Sequence, residues 1–249
     1  MRTILIFITV MFIFYFNNKL NYLSLSNIKN YFSLSYCISL LKQSLPLFIS
    51  TLAVTIYYNS DVIMLNLFTT VYDVGIYSAY YKIVFVFLTL KAVIIGYFTS
   101  SFSQLYKMGK IEKLTKKIFI LTRYILSITL LILIVIFFNY TNIITLTFGE
   151  KYLVEGSQEL LLILLTTVFI TYLYLFIPTY HIIAQQQTKF MYFTLIGSIS
   201  NVLLNFILIP KYGYIGASLS TLGSEIALLI IFFISFKKTM KVRHAESNN

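Results

Sequence analysis

IFILTRYILSITLLILIVIFFNY, residues 118–140, decides the fold. Arg123, near its start, is its one formally charged side chain. A hydrocarbon core of about 30 Å needs about 20 mostly apolar residues per helix, at about 1.5 Å rise each, and this stretch meets that length. In lipid the backbone polar groups must be satisfied within the segment, which selects a helix. The apolar residues run on without the alternation that an outer-membrane barrel strand requires. Outward from this stretch the same pattern recurs at 43–68, 74–101, 159–183, 189–209 and 214–236, with limits set by charges, Pro and Gly. A shorter run, 3–16, is about 14 residues and spans roughly 21 Å. Arg2 ahead of it resembles the start of a signal peptide, but Asn17-Asn18-Lys19 lacks the small-residue cleavage pattern, so it is read as a short first span.

The predicted architecture is therefore an all-α integral membrane protein of about seven transmembrane helices. Residues 1–16 form a short span, 17–42 an amphipathic cytoplasmic connector, 43–236 a six-helix bundle and 237–249 a basic cytoplasmic tail. Composition agrees: 59% of residues are hydrophobic and 11% charged, which excludes a soluble globule. Eighteen per cent are aromatic with no Trp, so Tyr and Phe are the available interface anchors. Cys37 stands alone and excludes a disulfide framework.

The net charge of +11 raises nucleic acid as a partner, but the basic residues sit beside apolar spans. They track topology instead. Lys19, Lys29, Lys42, the group from Lys107 to Arg123, Lys189 and the final Lys237, Lys238, Lys241 and Arg243 fall on one side of the predicted membrane, against Arg2, Lys151 and Lys211 on the other. The positive-inside rule puts the connector, the 104–117 loop and the carboxyl terminus in the cytoplasm. Seven spans with that orientation leave Met1 on the far side, a parity that points to missing sequence.

An ionisable group within hydrocarbon is costly unless paired or wetted, so each is a candidate functional residue. Asp61 and Lys82 flank the turn near Asp73 at similar distances, and an antiparallel hairpin brings them to similar depth, where they can form an ion pair. Lys82 is expected in a water-filled cavity; Lys91, half a turn out of phase, is expected to snorkel or face a neighbouring helix. Arg123 is either a topology anchor or a phosphate clamp at the cytoplasmic mouth. Thr51, Thr55 and Asn59 recur on one face and either line a conduit or join helices. Asn201 and Asn205 form another i, i+4 pair, and Glu225 is either a carrier of a proton or cation or a partner of those amides. Lys82, Lys91, Arg123, Asn59, Asn201 and Asn205 are thus the candidate substrate-binding residues, and Asp61 and Glu225 the candidate coupling or ion-pair residues. His181, beside Gln185, Gln186 and Gln187, is expected at the membrane interface. Pro46 and Pro178 are candidate helix breaks. Nucleotide-binding loops, zinc-protease and serine-hydrolase motifs are missing from the sequence, so no catalytic residue, metal site or cofactor is expected and the chain does not read as an enzyme.

Three stretches carry a resemblance. LPLFISTLAVTIYYNSDVIMLNL at Leu45–Leu67 with GIYSAYYKI at Gly75–Ile83, then FGEKY at Phe148–Tyr152, then NVLLNFILIPKYGYIGASLSTLGSE at Asn201–Glu225 resemble, in that order, the carboxyl-terminal half of polysaccharide and O-antigen flippases. These belong to the multidrug/oligosaccharidyl-lipid/polysaccharide exporter superfamily. The resemblance implies two six-helix bundles around a central cavity, alternating access, a bacterial inner-membrane location and an undecaprenyl-diphosphate-linked oligosaccharide as cargo. The sequence departs by supplying one bundle and a remnant span. Either a separate amino-terminal half completes the cavity, two copies pair, or the chain is an inactive truncated half. A small-molecule exporter of the same superfamily and a membrane glycan polymerase are the alternative readings; the acids of the longest external connection, Glu150, Glu155 and Glu159, lack a basic or histidine partner for polymerase chemistry.

Overall fold

The computed structural model describes Met11 and residues 33–247, with side chains to 240. The expected short first span and most of the connector, 17–32, lie outside the described residues. Residues 1–45 and 46–249 are two compact units. Within the first, Ser33 accepts the amide of Cys37 and opens helix α1, Leu34–Phe68. The helix thus begins inside the stretch read as a connector.

After α1 come α2, Val71–Lys107, and α3, Ile111–Phe138. A short α4, Tyr140–Thr147, and a 3₁₀ turn, Glu150–Tyr152, lead to α5, Ser157–Leu173, and α6, Ile177–Ile183. The last helix is α7, Gln187–Ser247. Among the described residues five helices are long and apolar enough to cross a membrane, with α5 and α6 counted together. The last of them is two spans in one, because α7 folds back on itself at Gly213.

Local chemistry explains these ends. At the α1–α2 turn, Thr70 Oγ1 accepts the Asp73 amide at 3.3 Å and the Asp73 carboxylate accepts the Thr70 amide at 3.3 Å, a capping box that starts α2. Pro178 lies in the first turn of α6, where its missing N–H costs nothing, and the chain breaks between α5 and α6 just ahead of it. Gly213 has φ 54° and ψ −131°, a conformation open to glycine and strained for any residue with a Cβ. The two arms of α7 then run side by side: a Cβ on Gly216 would come within 2.2 Å of the Leu208 carbonyl oxygen, so only glycine permits this approach.

The central element is α5–α6, whose membrane-crossing window is 67% buried, against 11% to 17% in α1, α2 and α3. Tyr172 on α5 donates to the Phe87 carbonyl of α2 at 2.7 Å. At the end of the bundle carrying the α1–α2 turn, Leu65, Tyr77, Leu161 and Ile144 share one core, and Tyr214 donates to the Glu155 carbonyl at 2.8 Å. At the opposite end Phe102, Leu114, Phe176 and Phe236 form a second core. Among the described residues, α1, α2, α3, α5–α6 and the two arms of α7 run between these two ends.

Candidate functional site

Asp61 lies on the inner face of α1, 2% exposed, and four side chains donate to its carboxylate. Tyr77 of α2 and Thr221 of the second α7 arm donate to Oδ2 at 2.5 and 2.6 Å. Asn205 and Asn201 of the first arm donate to Oδ1 at 2.7 and 3.3 Å. Ser60 donates to Asn201 Oδ1 at 2.5 Å. The fold at Gly213 brings Asn205 and Thr221 to one carboxylate across the α7 hairpin. A carboxylate can accept about four such bonds, so the acceptor is saturated. Asn205 Oδ1 nevertheless remains buried without a hydrogen-bond partner, an oxygen whose desolvation is uncompensated.

One helical turn along α1 is a second polar group. Tyr57 donates to Glu225 Oε1 at 2.9 Å, Tyr174 donates to Oε2, and Ser224 donates to the Tyr57 hydroxyl at 3.3 Å. The Lys91 ammonium lies 5.0 Å from the centre of the Tyr174 ring, a cation–π distance. Lys91, Tyr57, Tyr174 and Glu225 all line a cavity of about 150 Å³.

Sequence reasoning brought Asn201 and Asn205 to a carboxylate, and the structure makes that carboxylate Asp61 rather than Glu225. The expected Asp61–Lys82 ion pair is replaced by Asp61's bonds to neutral donors. Lys82 is exposed, with its ammonium 5.4 Å from the Phe148 ring centre. Within this bundle Lys91 lines a cavity beside Glu225, whereas Lys82 lies on the exposed face. The physical reason is phase, since Tyr77, Tyr80, Val84 and Phe87 define the buried face of α2 and Lys82 falls outside it. Asn59 is exposed and returns its amide to the Thr55 carbonyl at 2.7 Å, as Thr55 and Thr51 return their hydroxyls to carbonyls one turn back. Among the described residues these bonds stay within α1. Arg123 is exposed on α3 and away from both polar groups.

His181 is a correction. It is fully buried at 0% exposure, not interfacial, because the Pro178-led turn of α6 carries it inward against Phe193 and Phe232, where Nδ1 pairs with Gln186 Oε1 at 2.8 Å. Tyr57, Ser60, Tyr77, Tyr174 and Thr221 were missed as site residues. Helical spacing was the available signal: Tyr57 precedes Asp61 and Thr221 precedes Glu225 by one turn.

Residues 1–102 match the sequence model of a family described as "Polysaccharide biosynthesis protein". Among solved structures, the chain is similar to one described as the outward-facing conformation of a multidrug resistance MATE family transporter of the MOP superfamily. The identity is 18% and the TM-score 0.65, over 77% of this chain and 43% of that one. This likeness shows a shared fold, and the chain spans less than half the length of that transporter. No curated protein matches the chain.

Proposed function

We propose that the chain forms one bundle of a transporter that flips an undecaprenyl-diphosphate-linked oligosaccharide across the bacterial inner membrane, with the carboxyl terminus in the cytoplasm. The bundle corresponds to the carboxyl-terminal half of such a protein and works against a second bundle, supplied by another chain or a second copy. Support comes from the family match over residues 1–102 and the shared fold. The observation that carries the reading is the buried Asp61 carboxylate among Asn201, Asn205, Thr221 and Ser60. A carboxylate kept inside a membrane bundle, with no cationic side chain beside it among the described residues, is a site for a coupling ion. Turning the Asn205 amide over would bring its unpartnered oxygen toward Asp61, giving an all-oxygen set for a hard cation. One negative charge matches one monovalent charge, so the coupling ion is Na⁺ or a proton.

The exposed face supports the cargo. Lys82, Asn59 and Thr55 are polar groups that no partner in this bundle covers, and they fit a wetted surface between two bundles. The lipid tail stays in the bilayer while the glycan crosses along that surface. The similar multidrug resistance transporter favours a second reading, export of a small molecule by the same fold.

The test is a proteoliposome assay with a fluorescent undecaprenyl-diphosphate oligosaccharide, scoring its accessibility to external oxidant. Protein-dependent flipping that falls at least about tenfold in Asp61→Asn, at unchanged insertion, supports the reading. Efflux of cationic dyes without glycan movement would replace it with the small-molecule reading.

A further inference from the structure

The Glu225 cavity is lined by different residues from the Asp61 site and holds two opposed charges whose hydrogen-bonding capacity is only partly spent. Each oxygen of Glu225 accepts one tyrosine hydroxyl, about half of what a carboxylate can accept. Lys91, half-buried on α2, carries three N–H donors; among the described residues it donates to no acceptor and makes no direct ion pair with Glu225. Its ammonium rests over the Tyr174 ring. Between the two charges lies the cavity of about 150 Å³, walled by Tyr57, Tyr174, Phe190 and Phe232. Tyr174 and Phe232 are stacked at 5.6 Å, so two of these walls brace each other. At roughly 30 Å³ per water the volume equals about five waters, and a cavity of similar size in another protein takes a benzene.

Charge balance selects the occupant. With Lys91 and Glu225 both ionised the cavity is neutral, and a lone cation or anion entering it would leave a net charge in a low-dielectric bundle. A ligand with one charge of each sign keeps the balance and meets both unspent groups. Its ammonium end would take the Glu225 carboxylate and the aromatic faces, and its anionic end the Lys91 ammonium. We infer that the Lys91–Glu225 cavity binds a small zwitterion of about seven or eight non-hydrogen atoms, an ammonium joined by a short linker to a phosphate or carboxylate. That chemistry belongs both to soluble amino phosphates and to the headgroup of a zwitterionic phospholipid.

The experiment uses the full chain purified in detergent, in amine-free and phosphate-free buffer at about pH 5, where a phosphate monoester holds close to one negative charge, with three calorimetric probes. O-phosphoethanolamine carries both charges, ethanolamine only the ammonium, and 2-hydroxyethyl phosphate only the anion. The zwitterion should bind at least about tenfold tighter than either half, since each end adds a charge-assisted contact. Lys91→Met should erase its advantage over ethanolamine, Glu225→Gln its advantage over 2-hydroxyethyl phosphate, and Lys91→Arg should restore the first. A merely structural pair would not exchange selectivity in this way. Equal binding of the three probes, no binding of the zwitterion to the wild-type chain, or unchanged selectivity in folded variants would overturn the inference. In nanodiscs, binding of O-phosphoethanolamine at least about tenfold weaker in phosphatidylethanolamine than in phosphatidylglycerol identifies a lipid headgroup as the occupant. Equal binding in the two identifies a soluble zwitterion.

Discussion

Removing one donor from Asp61 should cost stability in proportion to the charge it faces, and Tyr77→Phe does this with the least collateral change. Tyr77 is 0% exposed, its hydroxyl reaches Asp61 Oδ2 at 2.5 Å, and only that hydroxyl is lost. Two magnitudes compete. Polar pairs between membrane helices average about 0.6 kcal/mol and reach about 1.7, whereas hydrogen bonds to a charged group contribute about 1.5–3. With Asp61 ionised, the cost should be about 1.5–2 kcal/mol. In an Asp61→Asn background the same change should cost about 0.6 kcal/mol, leaving a coupling of about 1 kcal/mol. Unfolding of purified protein in mixed micelles, titrated with sodium dodecyl sulfate, measures all four corners of this cycle. Tyr81→Phe is the control, since Tyr81 stacks on Tyr77 at 5.5 Å and makes no bond to Asp61; it should cost less than about 0.5 kcal/mol. If Tyr77→Phe costs the same in both backgrounds to within about 0.3 kcal/mol, the carboxylate is not the charged hub described here.

Gly216→Val should prevent the two α7 arms from closing, because its Cβ would fall 2.2 Å from the Leu208 carbonyl oxygen; overpacking of this kind costs about 1–3 kcal/mol or more. Loss of crosslinking between cysteines placed at Leu204 and Gly223, which lie across the hairpin, is the readout. Thr70→Ala removes the hydroxyl of the capping box at the start of α2 and should destabilise by about 1 kcal/mol in the same micelle titration. Lys82→Ala should change stability by less than about 0.5 kcal/mol, since among the described residues its exposed ammonium meets the Phe148 ring and no carboxylate. A larger loss would mean that Lys82 holds the bundle together, as the sequence-based ion pair with Asp61 expected.

Helix positions were legible because length and apolarity are local properties: the expected spans from 43 to 236 overlap described helices, and the first, 3–16, lies outside the described residues apart from Met11. What escaped was rotation. At 100° per residue an error of one or two positions turns a side chain from the core to the lipid, and the α2 helix is apolar on nearly every side, so hydropathy does not say which face is inward. Lys82 and Lys91 were therefore placed by depth, which the sequence carries, whereas azimuth, which it does not, sets Lys91 beside Glu225 and Lys82 on the exposed face of α2. The Asp61 site was half legible for a related reason. Asn201 and Asn205 share a face by spacing alone, but their carboxylate lies 140 and 144 positions away, and it reaches them only because α7 reverses at Gly213. That reversal was written as Pro210 and Gly213 between two apolar runs, and it carries the next inference within it: Thr221 had to return beside Asn205 once the hairpin closed. The coordinating shell of a membrane carboxylate can thus be read from a turn, provided the helix that bears the carboxylate is already placed.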